Sequence, residues 1–219
     1  MGIIQGATIR GSTIIGVNPP PTAPTTIGQA FGGGFFAGQI STAGNGIADY
    51  YLVIAPVASG QDNSKQWKTN VTSTTGTSSA IDGPTNSANM NDASHPAAQF
   101  CEGLTIGGFS DWYMPAKNEL EVCYYNLKPT TDGNLTNSGT NINAVPSRGS
   151  NYTTGTPAQT SATDFKSGGA EAFTAASYWC STQASASSAW RGDFSNGLQS
   201  NGYLKPQGLR VRAVRRVAV

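Results

Sequence analysis

Residues 107–127, reading GGFSDWYMPAKNELEVCYYNL, constrain the fold more than any other part of the chain. A glycine pair allows a tight backbone passage. An aromatic, strand-like run of Trp112, Tyr113 and Met114 follows. Pro115 then opens a helix, because the first helical turn has no partner for the N–H that proline lacks. Leu120, Cys123, Tyr124 and Leu127 recur at i, i+3, i+4 and i+7, which predicts one apolar helix face turned to a core beneath the terminal strands. The same phase leaves Lys117, Asn118, Glu121 and Asn126 to face water. Taken alone, this is a core helix with a well-marked start, and it carries no chemistry.

A second set of blocks stands at the far end. YWCSTQ at 178–183 is followed by Ala189-Trp190, by DFSNG at 193–197 and by LRVRAVR at 209–215. In order and spacing, these blocks and GGFSDWYMPAKNEL resemble a domain family of C-type-lectin-like fold. That family recurs at the C-terminus of collagen-like bacterial adhesins and in bacteriophage tail-fibre and receptor-binding proteins. The resemblance covers roughly residues 31–217. It implies an α+β domain with two helices, small antiparallel sheets and a long-loop region. Relatives often place a cysteine where Ala213 stands, able to bridge to the position of Cys101, and that staple is missing here. They also commonly carry Thr or Ser at the Ala116 position, in a capping box with the glutamate matched by Glu119. Alanine cannot accept that hydrogen bond, a loss of about 1 kcal/mol.

Composition narrows the class. Charged residues make up only 11% of the 219 residues and glycines number 27, a balance too apolar for a disordered chain yet rich in loop formers. Fibrous and virion surface proteins have this character more often than cytosolic enzymes. A net charge of +1 gives no electrostatic reason to bind nucleic acid or acidic lipid. Cys101, Cys123 and Cys180 cannot all pair within one chain, and none forms a C-x-x-C spacing. With the Ala213 departure, they point to a reduced protein assembled in the host cytoplasm. The first residues show no secretory or myristoylation pattern, and no apolar run reaches membrane-spanning length.

Residues 1–28 read as an arm. Ile3, Ile4, Ile9, Ile14 and Ile15 lie among Gly, Ser and Thr, and Pro19, Pro20, Pro21 and Pro24 stiffen a linker. The isoleucines have too few local partners, which predicts docking onto other virion chains. The domain proper is expected over 29–219. Residues 31–40 and 50–55 read as two strands of an antiparallel pair. Residues 59–84 read as polar loop. An interrupted helix follows over 86–103, restarted at His95-Pro96 and ended by Gly103. Residues 128–176 form a long loop with one helical turn near 158–165. Short strands close the chain, Leu209, Val211 and Ala213 alternating with Arg210 and Arg212.

Candidate chemistry reduces to binding. His95 is the only histidine, at a helix start, with Asp92 near and no nucleophile motif beside it. Glu119 and Glu121, two apart on a helix, point to different sides and cannot work as a glycosidase pair. Asp111 is expected to cap local N–H groups, and Asp193 to pair with Arg191 or a neighbouring strand. The cluster Arg210, Arg212, Arg215 and Arg216 reads as a solvent face or an interface with acidic neighbours. The calcium-lectin tripeptides Glu-Pro-Asn, Gln-Pro-Asp and Trp-Asn-Asp do not occur, so no metal and no cofactor are expected. What remains is a ligand-binding surface of Trp190, Arg191, Asn196, Gln199, Asn201 and Tyr203, near Leu198. Glycines 192, 197 and 202 allow tight turns there, and rings, amides and guanidinium suit sugar or protein contact. Phage relatives diversify this region, so by resemblance it selects the ligand. Trp179 and Trp190 also suit a core. The sequence thus predicts a non-enzymatic virion protein that adheres to a host surface polysaccharide or protein. A homo-oligomer, by preference a trimer, is expected, with neither nucleic-acid binding nor membrane insertion. The alternative is a structural virion component that touches only other virion chains. An enzyme like the formylglycine-generating relatives ranks last, for want of their paired catalytic cysteines.

Overall fold

The computed structural model describes residues 22–219. Most of the expected arm, and its docking, lie outside the described residues. At the arm's end, Pro24 is buried and Ile27 packs against both halves of the core.

In chain order, the strands and helices begin with β1 (Ala30–Phe31), β2 (Gly34–Ile40), β3 (Tyr50–Ile54), α1 (Val57–Gly60) and β4 (Gln61–Gln66). Three helices follow: α2 (Gly83–Ala88), α3 (Pro96–Glu102) and α4 (Lys117–Leu127). After β5 (Ala144–Val145) and a 3-10 turn at Thr163–Phe165 come β6 (Ser177–Gln183), β7 (Ser188–Asp193), β8 (Gln199–Leu204), β9 (Gly208–Arg212) and β10 (Val214–Ala218). The architecture is mixed α+β. One sheet runs β1-β2-β3-β10, with β5 beside β2; the other runs β4-β9-β6-β7-β8. All pairings are antiparallel except β6 with β9.

Strand β3 shows why both sides of the first sheet are covered. Successive side chains of a strand point to opposite faces. Leu52 and Ile54 enter one core cluster with Leu120, Tyr124 and Phe194, while Val53 and Ala55 enter the other with Trp67, Trp112 and Trp179. Strand β2 pairs β3 as expected, with a bulge between Phe36 and Gly38. Gly38 sits at φ +141°, and a Cβ there would meet Asn126 Nδ2 at 2.5 Å; that amide donates to Ala37 O. The run 31–40 is therefore two strands, broken at Gly32 and Gly33.

Helix α4 keeps the predicted apolar phase: Leu120, Cys123, Tyr124 and Leu127 are all buried. Its expected wet face is not wet. Asn118 and Glu121 are buried too, because Asn118 Nδ2 donates to Asn143 Oδ1 and Glu121 is ringed by donors; Lys117 and Asn126 are half-buried. At its start only half of a capping box exists, Ala116 N donating to Glu119 Oε2 at 2.8 Å.

Three further expectations are corrected. The supposed loop 59–84 contains β4, an edge strand against β9 whose sequence, QDNSKQ, has no apolar residue to mark it. Asp111 caps no local turn; it forks onto Arg215 at 2.7 and 2.9 Å. The arginines of β9 and β10 are no solvent face either: Arg212 is fully buried against Glu171, and Arg216 reaches Glu119. The acidic-neighbour reading holds for Arg212, Arg215 and Arg216, whereas Arg210 makes no ion pair among the described residues. Among the described residues no helix is long and apolar enough to cross a membrane.

Candidate functional site

Hairpin β7–β8 carries the predicted binding residues and divides them. Ala189 opposes Tyr203, Arg191 opposes Ser200 and Gly192 opposes Gln199, with an irregularity in register opposite Trp190. Opposed residues of an antiparallel pair share a side. Trp190, Gly192 and Gln199 therefore face α4, and Arg191 and Tyr203 face the other way. The approach at Gly192 is close: a Cβ there would lie 3.2 Å from Leu120 Cδ2, near enough that the leucine would have to shift.

On the far side the side chains are already engaged. The Arg191 guanidinium donates to Ser177 Oγ and, at 3.0 Å, to Asp193 Oδ2, and lies 4.9 Å from the Tyr203 ring centre. Tyr203 meets Trp179 edge-on at 5.8 Å. Burial works against the Asp193 carboxylate, yet hydrogen bonds from Ser195, Ser177 and Arg191 hold its pKa below the ordinary value. Arg191 thus pairs with Asp193, as the sequence suggested, while its Nε is buried with no acceptor among the described residues. Asn196 is a turn builder, its Oδ1 accepting from Leu198 N at 3.1 Å and its carbonyl from Leu135 N at 2.8 Å. Asn201 is exposed.

The side facing α4 opens into a cleft of about 160 Å³, lined by Lys117, Ser138, Thr140, Asn151, Trp190 and Gln199 among others. The half-buried Trp190 ring has Lys117 Nζ 4.5 Å from its centre. Gln199 Oε1 accepts from Gly139 N at 3.2 Å, and Gln199 N donates to Ser138 Oγ at 3.0 Å. That leaves Gln199 Nε2 buried with no acceptor among the described residues.

A second hollow, about 310 Å³, adjoins it and shares Asn151. Sequence reasoning missed it. Its wall is the loop 147–153 with Tyr125 and Thr156, and Glu121 lies behind that wall, bonded to its Arg148 and Tyr152. The fully buried Glu121 carboxylate accepts from Asn141 Nδ2 at 2.5 Å, from Tyr152 OH at 2.7 Å and from Arg148. Arg148 lies 4.0 Å over the Tyr125 ring, its Nε buried and unpaired among the described residues. The loop 128–176 holds its course because amide side chains satisfy its backbone. Asn134 Nδ2 reaches Thr153 O, Thr154 O and Pro157 O, and Asn143 Nδ2 reaches Ser41 O and Thr42 O. The length of the loop was the one signal in the sequence that pointed here.

The groups that could do covalent or acid–base chemistry lie elsewhere and are occupied. His95 caps α3 and is almost fully buried, Nε2 bonded to Thr74 Oγ1 and Nδ1 to Asp92. Burial lowers its pKa against the opposing pull of Asp92, which favours the neutral ring. All three cysteines are buried and free, and burial pushes Cys180 up to about 12. Glu119 is fully buried against Tyr113 OH at 2.5 Å and Arg216 at 2.9 Å, and burial raises its pKa. Among the described residues, no three His, Cys, Asp or Glu side chains converge as a metal site would need.

Comparison with known proteins gives one family. The Lcl C-terminal domain family matches residues 59–215, more than half of the chain, and a search of curated proteins finds no match. The matched span holds α4, the long loop, hairpin β7–β8 and both hollows.

Proposed function

This chain belongs to the Lcl C-terminal domain family, an adhesin-like or virion-associated class, and we propose that it is the adhesion domain of a bacteriophage virion protein. In this reading the domain is C-type-lectin-like and acts without catalysis, metal or cofactor. It is assembled in the host cytoplasm and displayed on the particle, as a homo-oligomer with a trimer favoured. Its arm joins other virion chains, and its loop face meets a host surface polysaccharide or protein. One observation carries the reading: a half-buried tryptophan, a buried amide with an unpaired N–H and several hydroxyls converge on an open cleft. Aromatic surface plus a few convergent polar groups is the usual composition of a recognition site. The engaged His95 and the buried thiols support binding over catalysis. Many copies per particle would make weak single sites sufficient.

The test is adsorption of particles bearing two double variants. Trp190→Ala with Gln199→Ala, on the side facing α4, should abolish adsorption without loss of assembly. Arg191→Lys with Tyr203→Phe, on the engaged side, should leave adsorption near normal, and a chelator should change neither result. Normal adsorption by the first variant would favour a purely structural role.

A further inference from the structure

We infer that the two hollows form one groove, and that its ligand is a linear, uncharged glycan of at least two sugar units. The inference rests on the adhesion reading and names the ligand class of that face. Asn151 is the junction: it lines both hollows, and its Oδ1 accepts from Thr140 Oγ1 at 2.8 Å, so its amide N–H groups remain for a ligand. The walls are built in advance. Asn141 and Arg148 exchange backbone hydrogen bonds at 2.8 and 2.9 Å, and Tyr152 N donates to Ser138 O at 2.7 Å. A ligand therefore has little loop ordering to offset.

The lining identifies the class. Neither hollow is lined by Leu, Ile, Val or Met, so neither offers the apolar socket that a peptide side chain fills. The first offers the ring of Trp190 and the second those of Tyr125 and Tyr152, among hydroxyls and amides that both donate and accept, as sugar hydroxyls require. Each also holds one buried N–H without an acceptor, Gln199 Nε2 or Arg148 Nε. Arg191 Nε and Arg210 Nε are likewise buried without an acceptor but lie outside both hollows, so the two inside count here because a ligand in the hollow could reach them.

Charge decides against a polyanion. Arg148 is neutralised by the buried carboxylate of Glu121. Lys117 is the one other cation of the lining, and it has no ion-pair partner among the described residues. An acidic polymer would need a row of free cations, and its binding would collapse as salt screens them.

Isothermal titration calorimetry of the full chain tests this, with maltohexaose, cellohexaose, chitohexaose and a heparin hexasaccharide as probes at low and high salt. One neutral hexasaccharide should bind with an affinity that salt leaves within about twofold. Gln199→Ala at one end and Ser150→Ala with Thr156→Ala at the other should each weaken it about tenfold, a loss of about 1.4 kcal/mol. Ser150 and Thr156 are exposed, so that variant keeps the fold, and a matching thermal melt confirms it. Sensitivity at one end only overturns the continuous groove, and salt-dependent binding of heparin alone overturns the uncharged ligand. If no hexasaccharide binds while Gln199→Ala still abolishes particle adsorption, the ligand is a protein; this inference then fails and the adhesion reading stands.

Discussion

Glu119 and Glu121 show how far single residues steer this fold. Two positions apart on α4, they point to different sides as their spacing requires: one carboxylate anchors the β10 arginine Arg216, the other the long-loop arginine Arg148. Removing a buried partner leaves its counter-charge unpaired. Glu121→Ala should therefore cost about 3–5 kcal/mol, read as a shift in the urea midpoint. Leu120→Ala, one position away and 2% exposed, should cost about 2–5 kcal/mol by the different route of an unfilled cavity. A loss below about 1 kcal/mol at either site would contradict the packing described. Lys205 supplies a pH prediction. Its ammonium is buried, donates to Thr72 O and Gln183 Oε1, and lies 4.6 Å from the Trp67 ring centre. Burial first, and the charge of Lys68 second, bring its pKa from 10.5 to about 8. Between those values Lys205 holds more of its proton in the unfolded chain than in the folded one, so its own contribution to stability rises with pH across that window and is lowest below it. Cys101, Cys123 and Cys180, whose pKa values burial raises, act in the opposite direction over the same window, so the test is a difference. The urea midpoint of the protein relative to Lys205→Met should move in the protein's favour from pH 8 toward 10.5, and a difference that stays constant would contradict the assignment.

Among the elements, α4 was the most legible and the most incompletely read. Its apolar phase was written in the spacing of Leu120, Cys123, Tyr124 and Leu127, because core burial imposes that period whatever the partner. Its polar positions misled because residue type alone says water for Asn118 and Glu121. Their partners are brought in by the loop, and Arg148 lies 27 positions from Glu121. The same blindness hid the pair Arg215 with Asp111, 104 positions apart. At the site, Trp190 and Gln199 stood out by type and by neighbouring glycines, whereas Tyr125, Arg148 and Asn151 did not. Nothing local marks a residue that becomes a wall only when two distant segments meet. The start of α4 also yields a prediction. Ala116 has extended backbone angles suited to a cap, φ −69° and ψ 167°, but no side-chain acceptor. Ala116→Ser should complete the box with Glu119 and stabilise the domain by about 0.5–1 kcal/mol in denaturant titration. Destabilisation instead would mean that the fully buried site has no room for one more oxygen.

At the scale of the whole molecule, the two sheets and α4 form a scaffold, and the long loop lays a groove along one side of it. Of the residues proposed to bind, Asn151 sits on the long loop, while Trp190 and Gln199 sit on β7 and β8 and Tyr125 on α4, so most of the face is held by regular elements. The arm, residues 1–28 in the sequence reading, is proposed to attach this scaffold to the particle. Removal of residues 2–24 should leave a folded domain by circular dichroism that is absent from purified particles; retention on particles would contradict the arm's role. The central claim is that the face with Trp190 and Gln199 meets a host surface. A density map of the intact particle tests it most directly. The account predicts the domain at the periphery with Trp190, Asn151 and Tyr125 turned outward to solvent. A map in which that groove is packed against neighbouring virion chains would contradict it.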